Sequence, residues 1–310
     1  MTARRLGIDV GGTKAHAVVI DDAAAVLASA ARPTPRGDGS LPVLVDVLVQ
    51  LVDELGPADE LAGVGIGVPG LVDRHGVLRA APNLDGVADF AVAELVADRI
   101  GRAVAVDSDA TCALVAEAHL GAARGRGHAI LVTLGTGIGG ALLVDGAVYR
   151  GANGFAGEFG HMVVDPDGPP CPCGRRGCWE RYASGSGLAM LARAAAVGGR
   201  LRDVARTVGD AAAIRGEHVL RAARDGDPDA LAVIDEFGRW VAVGLVNLTN
   251  AFDPEVFVLG GGLATGDDVY LAPIRHWFGQ LVYEPELRPW PEIVFATAGP
   301  LAGAIGAALL

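Results

Sequence analysis

The chain has 310 residues, 51% of them apolar, and a formal net charge of −12. That length accommodates two domains and that apolar content supports a large core, which excludes a disordered chain. The acidic balance excludes the basic face that a nucleic-acid partner requires, and no run of eighteen apolar residues uninterrupted by Gly, Pro or charge offers a membrane span.

Residues 6–10 and 15–20 are apolar runs separated by Gly11-Gly12-Thr13-Lys14, which reads as a hairpin with a glycine loop. Residues 23–31 read as a third strand after the Asp21-Asp22 turn. Leu and Val recur at helical spacing over 41–55, with Pro42 near the start where proline is tolerated, and 61–68 is a buried strand ended by Pro69-Gly70. A helix over 88–100, a strand over 103–106 and a helix over 110–120 follow, then a Gly- and Arg-rich connector over 121–127. Residues 128–134, the loop Gly135-Thr136-Gly137-Ile138-Gly139-Gly140 and residues 141–144 repeat the strand, glycine loop and strand of the N-terminus. The repetition points to duplicated α/β domains. Helices are expected over 186–197, 200–206, 217–225 and 229–252; the last carries Leu231, Ile234, Val241, Leu245 and Leu248 on one stripe and stops at Pro254. A strand over 256–259 runs into Gly260-Gly261-Gly262, and a strand over 292–296 and a helix over 301–309 close the chain. The domain boundary is placed near 115, giving a small α/β domain over 1–115, on which 298–310 packs back, and a large α/β domain over 116–297.

His161, Cys171, Cys173 and Cys178 fall within eighteen residues in a stretch rich in Gly and Pro. Three thiols and an imidazole are the right ligands for a closed, structural zinc site, since four protein ligands leave no open position for water. Reactive thiols or a disulfide are the alternatives, but clustered cysteines fit a metal site in a reducing compartment better than a disulfide framework. Cys112 stands apart on a small-residue helix and reads as core filling. Residues 1–5 lead straight into a strand with no apolar stretch and cleavage site, so no signal peptide is expected and a cytoplasmic location is.

Gly11 and Gly12 have no side chain to keep backbone N–H groups from a phosphate, Thr13 adds a hydroxyl, and Asp9 can position a metal ion or its water. The loop matches neither the P-loop nor the dinucleotide fingerprint. Alone it also reads as a plain hairpin turn, but Gly135-Thr136-Gly137 repeats it, and two such loops can pinch a triphosphate between them. Gly260-Gly261-Gly262 offers a third contact at a helix start, or a flexible junction. Asp109, at the start of a helix after a short buried strand, can accept a proton from a hydroxyl attacking a phosphoryl group, or serve as an ordinary N-cap. Asn83, Glu158, His161 and Glu180 are polar loop residues of the kinds that hydrogen-bond sugar hydroxyls.

Gly7-Ile-Asp-Val-Gly-Gly-Thr-Lys14, Leu134-Gly-Thr-Gly-Ile-Gly-Gly140, Gly157-Glu-Phe-Gly-His161 and Cys171-x-Cys173-x4-Cys178-x-Glu180 together resemble the ROK family (repressors, open reading frames, kinases) over essentially the whole chain. The cysteine motif is specific to that family, whereas the glycine loops are shared with the wider actin-like ATPase and sugar kinase superfamily. The greatest likeness is to bacterial ROK glucokinases. The resemblance implies an actin-like ATPase fold of two ribonuclease H-like α/β domains with an interdomain cleft. It implies ATP with Mg²⁺ as phosphoryl donor, a hexose 6-hydroxyl as acceptor, structural Zn²⁺, and a homodimer or homotetramer. It assigns Asp109 as base. Asp9, Gly11, Gly12, Thr13 and Lys14 match the first phosphate loop, Gly135, Thr136 and Gly137 the second, and Gly261 and Gly262 the adenosine segment. Asn83, Glu158, His161 and Glu180 match sugar ligands, with His161 also on the zinc beside Cys171, Cys173 and Cys178. Ser108 stands where the family usually has Asn, so its sugar contact is lost, water-bridged or remade. That leaves room for an aminohexose such as kanosamine, or for N-acetylglucosamine or N-acetylmannosamine. A sugar-sensing regulator of the same family is the reading from another class; with the first strand near Leu6, no DNA-binding domain is expected ahead of it.

Overall fold

The computed structural model describes residues 3–81, 87–263 and 268–310. In chain order its elements are β1 (Arg5–Val10), β2 (Lys14–Ile20), β3 (Val26–Pro33), α1 (Ser40–Leu55), β4 (Gly63–Val68), β5 (Leu71–Val72), β6 (Leu78–Ala80), α2 (Val92–Ile100), β7 (Ala105–Ser108), α3 (Asp109–Leu120), β8 (Ala129–Leu134), β9 (Ile138–Val144), β10 (Ala147–Tyr149), α4 (Glu180–Ala183), α5 (Gly185–Val197), α6 (Arg202–Val208), α7 (Gly216–Arg224), α8 (Pro228–Phe252), β11 (Val256–Gly260), α9 (Asp268–Leu281), β12 (Glu292–Phe295) and α10 (Ala302–Ala308).

Two five-stranded sheets, ordered β3-β2-β1-β4-β7 and β10-β9-β8-β11-β12, carry these elements. In the first, β1–β2 and β2–β3 pair antiparallel while β1, β4 and β7 run parallel. In the second, β9 and β10 pair antiparallel while β8, β11 and β12 run parallel. Each sheet thus joins an antiparallel hairpin to a parallel trio, and helices cover the strands because parallel neighbours need long crossovers. The central parallel strands β4, β8 and β11 read as Val-, Ile- and Leu-rich because both of their faces are buried. On one face of the first sheet Leu6, Ile8 and Ile66 meet Leu44, Leu48 and Leu51 of α1. On the other, Val18 and Ile20 meet Ala116 of α3 and Ala304, Ile305 and Ala308 of α10. The approach of α10 is so close that a Cβ on Gly65 would strike the Ala307 carbonyl.

The chain forms two compact units, one of residues 1–127, 141–157 and 296–310, the other of residues 128–140 and 158–295. A boundary at 115 falls inside α3, whose Leu114, Val115 and Ala116 are continuous buried helix, so α3 stays whole in the first unit. Residues 141–157 join that unit as well. The Arg74 guanidinium donates to the Gly151 carbonyl at 3.0 Å, the Arg74 amide donates to the Asn153 carbonyl at 3.2 Å, and Arg150 pairs with Asp107 at 2.6 Å.

Several elements depart from their expected ends. β3 starts at Val26 rather than 23 because the Asp21 carboxylate accepts the Ala23 and Ala25 amides, both at 2.9 Å, and holds a turn there. α9 was not expected, since Pro273 interrupts its pattern. Among the described residues no helix is long and apolar enough to cross a membrane.

Candidate active site

Asp9 of β1 and Asp107 of β7 are both in register with Gly67 of β4, the strand between them. At ordinary strand spacing their backbones are roughly 9–10 Å apart. They stand at the carboxyl ends of parallel strands, where open α/β sheets bind ligands. β7 runs on to Ser108, two residues past its expected end, and Asp109 opens α3. Ser108 is the N-cap: its Oγ accepts the Thr111 amide at 3.1 Å and lies 2.8 Å from Thr111 Oγ1. The capping duty that would explain an Asp here on structural grounds is therefore carried by its neighbour. Asp109 Oδ1 accepts the adjacent Ala110 amide at 2.7 Å.

Asp9 is partly buried, and burial pushes its carboxyl up to about 6. Gly303 of α10 packs directly over it; a Cβ there would sit 2.7 Å from the carboxyl carbon. The Asp9 carboxylate accepts no hydrogen bond among the described residues, a setting that suits a hydrated divalent cation. Burial, then the charges of Asp107, Asp9 and Asp109, pushes the Cys112 thiol well above its ordinary value, so these three carboxylates surround one buried side chain. Cys112 itself fills the core, as expected.

Three side chains that sequence reasoning passed over shape this half of the site. Asp107 accepts the Ser108 amide at 2.8 Å and pairs with Arg150. Glu117, 1% exposed, accepts the amides of Ala122, Thr297 and Ala298 at 2.7, 2.9 and 2.8 Å and ties α3 to the chain entering α10. The signal for Glu117 was present: an acid set among Leu114, Val115 and Ala116 in the middle of α3 has to be satisfied when buried. The first glycine loop closes with the Gly11 amide donating to the Lys14 carbonyl at 3.0 Å, leaving Gly12, Thr13 and Lys14 exposed. Asn83 lies outside the described residues.

In the second unit Gly135, Thr136 and Gly137 join β8 to β9, with the Gly135 amide donating to the Gly137 carbonyl at 3.0 Å. Glu180, the first residue of α4, lies against this loop, its Oε2 3.5 Å from the Ile138 amide. Its Oε1 accepts from Cys171 Sγ at 3.1 Å and stands 3.9 Å from His161 Nδ1. Glu158 Oε2 is 3.9 Å from His161 Nε2. The fold thus brings Glu158, His161 and Glu180 together. Burial raises the Glu158 pKa, His161 opposes the rise and Glu180 adds to it.

One ligand atom from each of His161, Cys171, Cys173 and Cys178 lies within 4.8 Å of all the others. Cys173 Sγ and Cys178 Sγ are 3.6 Å apart, and Cys171 Sγ is 3.9 Å from His161 Nδ1. Tetrahedral zinc with ordinary bonds sets its ligand atoms about 3.5–3.8 Å apart, so the four groups fit that ion. Nδ1 of His161 is on the cysteine side and Nε2 faces Glu158. All four cysteines are unpaired. Gly261, at φ +84°, turns the chain after β11, and the Leu263 amide donates to the Leu134 carbonyl at 3.0 Å. Gly260 ends β11 and Gly261 turns the chain; residues 264–267, between this turn and α9, lie outside the described residues.

Residues 5–310 match the ROK family. The chain belongs to the ROK family. It is 37% identical over 307 residues to a glucokinase from Streptomyces coelicolor, across 98% of this chain and 96% of that protein. It is 33% identical to N-acetylgalactosamine kinase AgaK from a Shewanella species, across 98% and 95% of the two chains. A ROK family glucokinase from Streptomyces griseus, crystallised in complex with glucose and AMPPNP, superposes with a TM-score of 0.85 at 36% identity, covering 99% of this chain and 98% of that one. The two sheets are those of the actin-like ATPase fold that ROK proteins share.

Proposed function

We propose that this chain is an ATP-dependent sugar kinase that phosphorylates the 6-hydroxyl of glucose or an aminohexose. The observation that carries this reading is likeness over nearly the full length to glucokinases, one of them solved with glucose and AMPPNP. Asp109 is the general base: its carboxylate takes the proton of the 6-hydroxyl as that oxygen bonds to the γ-phosphorus and the bond to the leaving ADP oxygen breaks. Gly11, Gly12, Thr13 and Lys14 present amides, a hydroxyl and an ammonium to the phosphates, as Gly135, Thr136 and Gly137 do from the second unit. Gly261 and Gly262 line the nucleoside. Asp9, ionised, holds Mg²⁺, which when bound neutralises charge on the β- and γ-phosphate oxygens. Glu158, His161 and Glu180, with Asn83, bind the sugar hydroxyls, and Ser108 approaches the sugar from the end of β7. His161, Cys171, Cys173 and Cys178 hold Zn²⁺, whose contribution when bound is a cross-link that fixes the imidazole and the adjoining Glu180. The catalysis asked of these residues is positioning and electrostatics.

The acceptor can be an amino or N-acetylated hexose, a reading favoured by the likeness to N-acetylgalactosamine kinase AgaK and by Ser108, whose oxygen is engaged with Thr111. A homodimer or homotetramer in the cytoplasm goes with this reading, and light scattering tests the assembly. The decisive experiment is coupled ADP release across glucose, mannose, glucosamine, the N-acetylated hexosamines and kanosamine, with Asp109→Asn in parallel. We expect sugar-dependent turnover with at least one of them, and a loss of about 10²–10⁴-fold in kcat for Asp109→Asn with sugar binding retained. Absence of turnover with every sugar refutes the kinase reading; near-normal kcat in the variant removes Asp109 as the base.

A further inference from the structure

Residues 34–36 bind the first glycine loop from behind. Thr34 Oγ1 donates to the Gly11 carbonyl at 2.7 Å, and the Thr34 amide donates to the Thr13 carbonyl at 3.0 Å. Between them the Arg36 guanidinium donates to the Gly12 carbonyl, through Nε at 2.9 Å and also through Nη2, which reaches Thr13 Oγ1 at 3.4 Å. Three successive carbonyls are thus held by one strap. In a trans peptide the N–H points opposite to the carbonyl of the same plane. Holding the Gly11 and Gly12 carbonyls therefore aims the Gly12 and Thr13 amides away from the strap. Neither amide donates to a protein acceptor among the described residues. Adjacent unpartnered amides held this way form an anion nest.

The second unit repeats the device with different residues. The Gly135 carbonyl accepts the Gly185 amide at 2.8 Å and the Thr136 carbonyl accepts the Ser186 hydroxyl at 2.7 Å, while the Thr136 and Gly137 amides have no protein acceptor among the described residues. In both loops the carbonyls are tied down on one side and the amides are left for a ligand. Thr34 is 6% exposed, so its hydroxyl has little water to turn to once it leaves Gly11.

We propose that Thr34 and Arg36 are positioning residues that hold the Gly11–Lys14 loop in its phosphate-binding form, the ligand being a phosphoanhydride chain. The inference rests on the kinase reading for what the nest receives, but not for how it is held. Without the strap the loop peptides rotate freely, and binding has to order them first.

The test measures Kd for inorganic tripolyphosphate and for MgATP by calorimetry, and Kd for the hexose acceptor, in the wild type and in Arg36→Ala, Thr34→Val and Thr34→Ser. Losing a charged hydrogen bond predicts about tenfold weaker binding of both phosphate ligands for Arg36→Ala, and losing a neutral one about fivefold for Thr34→Val. Thr34→Ser restores the hydroxyl and returns to within twofold of wild type, and hexose Kd stays unchanged throughout. Thr34→Val removes no charge, so weakening confined to Arg36→Ala means simple Coulomb attraction and overturns the proposal. Equal loss of phosphate and hexose binding means general disruption and also overturns it. If wild type binds tripolyphosphate and the variants weaken as predicted, yet no sugar is turned over, the kinase reading fails and the strap stands. If wild type binds neither phosphate ligand, both fall.

Discussion

Asp9→Asn separates folding from function at a single carboxyl. Burial raises Asp9 from 3.8 to about 6, a difference of about two pKa units. At 1.36 kcal/mol each, that is about 3 kcal/mol, a ceiling because Asp9 keeps some solvent contact. The sign follows from linkage. The folded pKa lies above the unfolded one, so the folded chain binds this proton more tightly. The penalty is absent below pH 4, grows as pH rises towards 6, and is complete above it. Asn has the shape of the protonated acid and never ionises, so it removes the penalty at every pH. Without added magnesium, Asp9→Asn should unfold at higher urea than wild type at pH 8, with a gap of up to 3 kcal/mol that closes near pH 4. MgADP should reverse the order at pH 8, because binding to the folded wild type stabilises it and the variant lacks the carboxylate proposed to hold the ion. Phosphoryl transfer should be lost in the variant. A variant equally or less stable than wild type at pH 8, or a gap that persists at pH 4, refutes the assignment of Asp9 as a buried carboxylate kept for a cation.

Two further predictions concern the second unit. Cys178→Ala removes a fully buried thiol proposed as a ligand and should take zinc from about one per chain to none on metal analysis, with hexose Kd raised at least tenfold; unchanged zinc rejects the ligand assignment. Trp179 is fully buried between Cys178 and Glu180, and its Nε1 donates to the Trp240 carbonyl of α8 at 2.7 Å, so Trp179→Phe should cost about 1 kcal/mol or more in urea unfolding by losing that buried hydrogen bond and part of the packed ring. It should also raise KM for the hexose more than KM for ATP; equal KM changes refute a role specific to the sugar side.

What the sequence made legible was chemistry confined to short segments. The hairpin around Gly11 and Gly12, the repeat at Gly135 to Gly137 and the ligand set of the zinc cluster each need only neighbours in the chain. α8 was legible at both ends, because Pro228 sits in its first turn and Pro254 follows its last. α9 was not, because Pro273 lies inside it. Ser108 and Asp109 are both good capping residues, and only the length of β7 decides which of them caps. Contacts that bind distant residues left almost no trace. Thr34 to Gly11, Arg150 to Asp107 and Glu117 to Thr297 span 23, 43 and 180 positions, and no periodicity encodes them. The division at 115 falls inside α3 for the same reason: the buried Leu114, Val115 and Ala116 offer no break in the sequence, and only the packing of α3 against α10 assigns it.

The duplication also explains why the two halves cannot exchange roles. Asp9 is the fifth residue of β1, and its counterpart as fifth residue of β8 is Thr133. The Thr133 hydroxyl accepts the Gly139 amide at 3.0 Å and so stiffens its own hairpin, whereas the Asp9 carboxylate has no such partner among the described residues. A hydroxyl can be consumed locally at little cost, but a partly buried carboxylate without a partner is unstable on its own and persists where a ligand compensates it. The strand corresponding to β7 shows the same asymmetry: β7 ends in Asp107 and Ser108 with Asp109 following, while β12 ends in Val294 and Phe295. Both sheets keep a glycine loop able to receive phosphate. Among the described residues, β1 and β7 carry carboxylates at their carboxyl ends while β8, β11 and β12 do not, which is why the proposed proton abstraction and cation binding are assigned to the first unit and the proposed zinc and sugar ligands to the second.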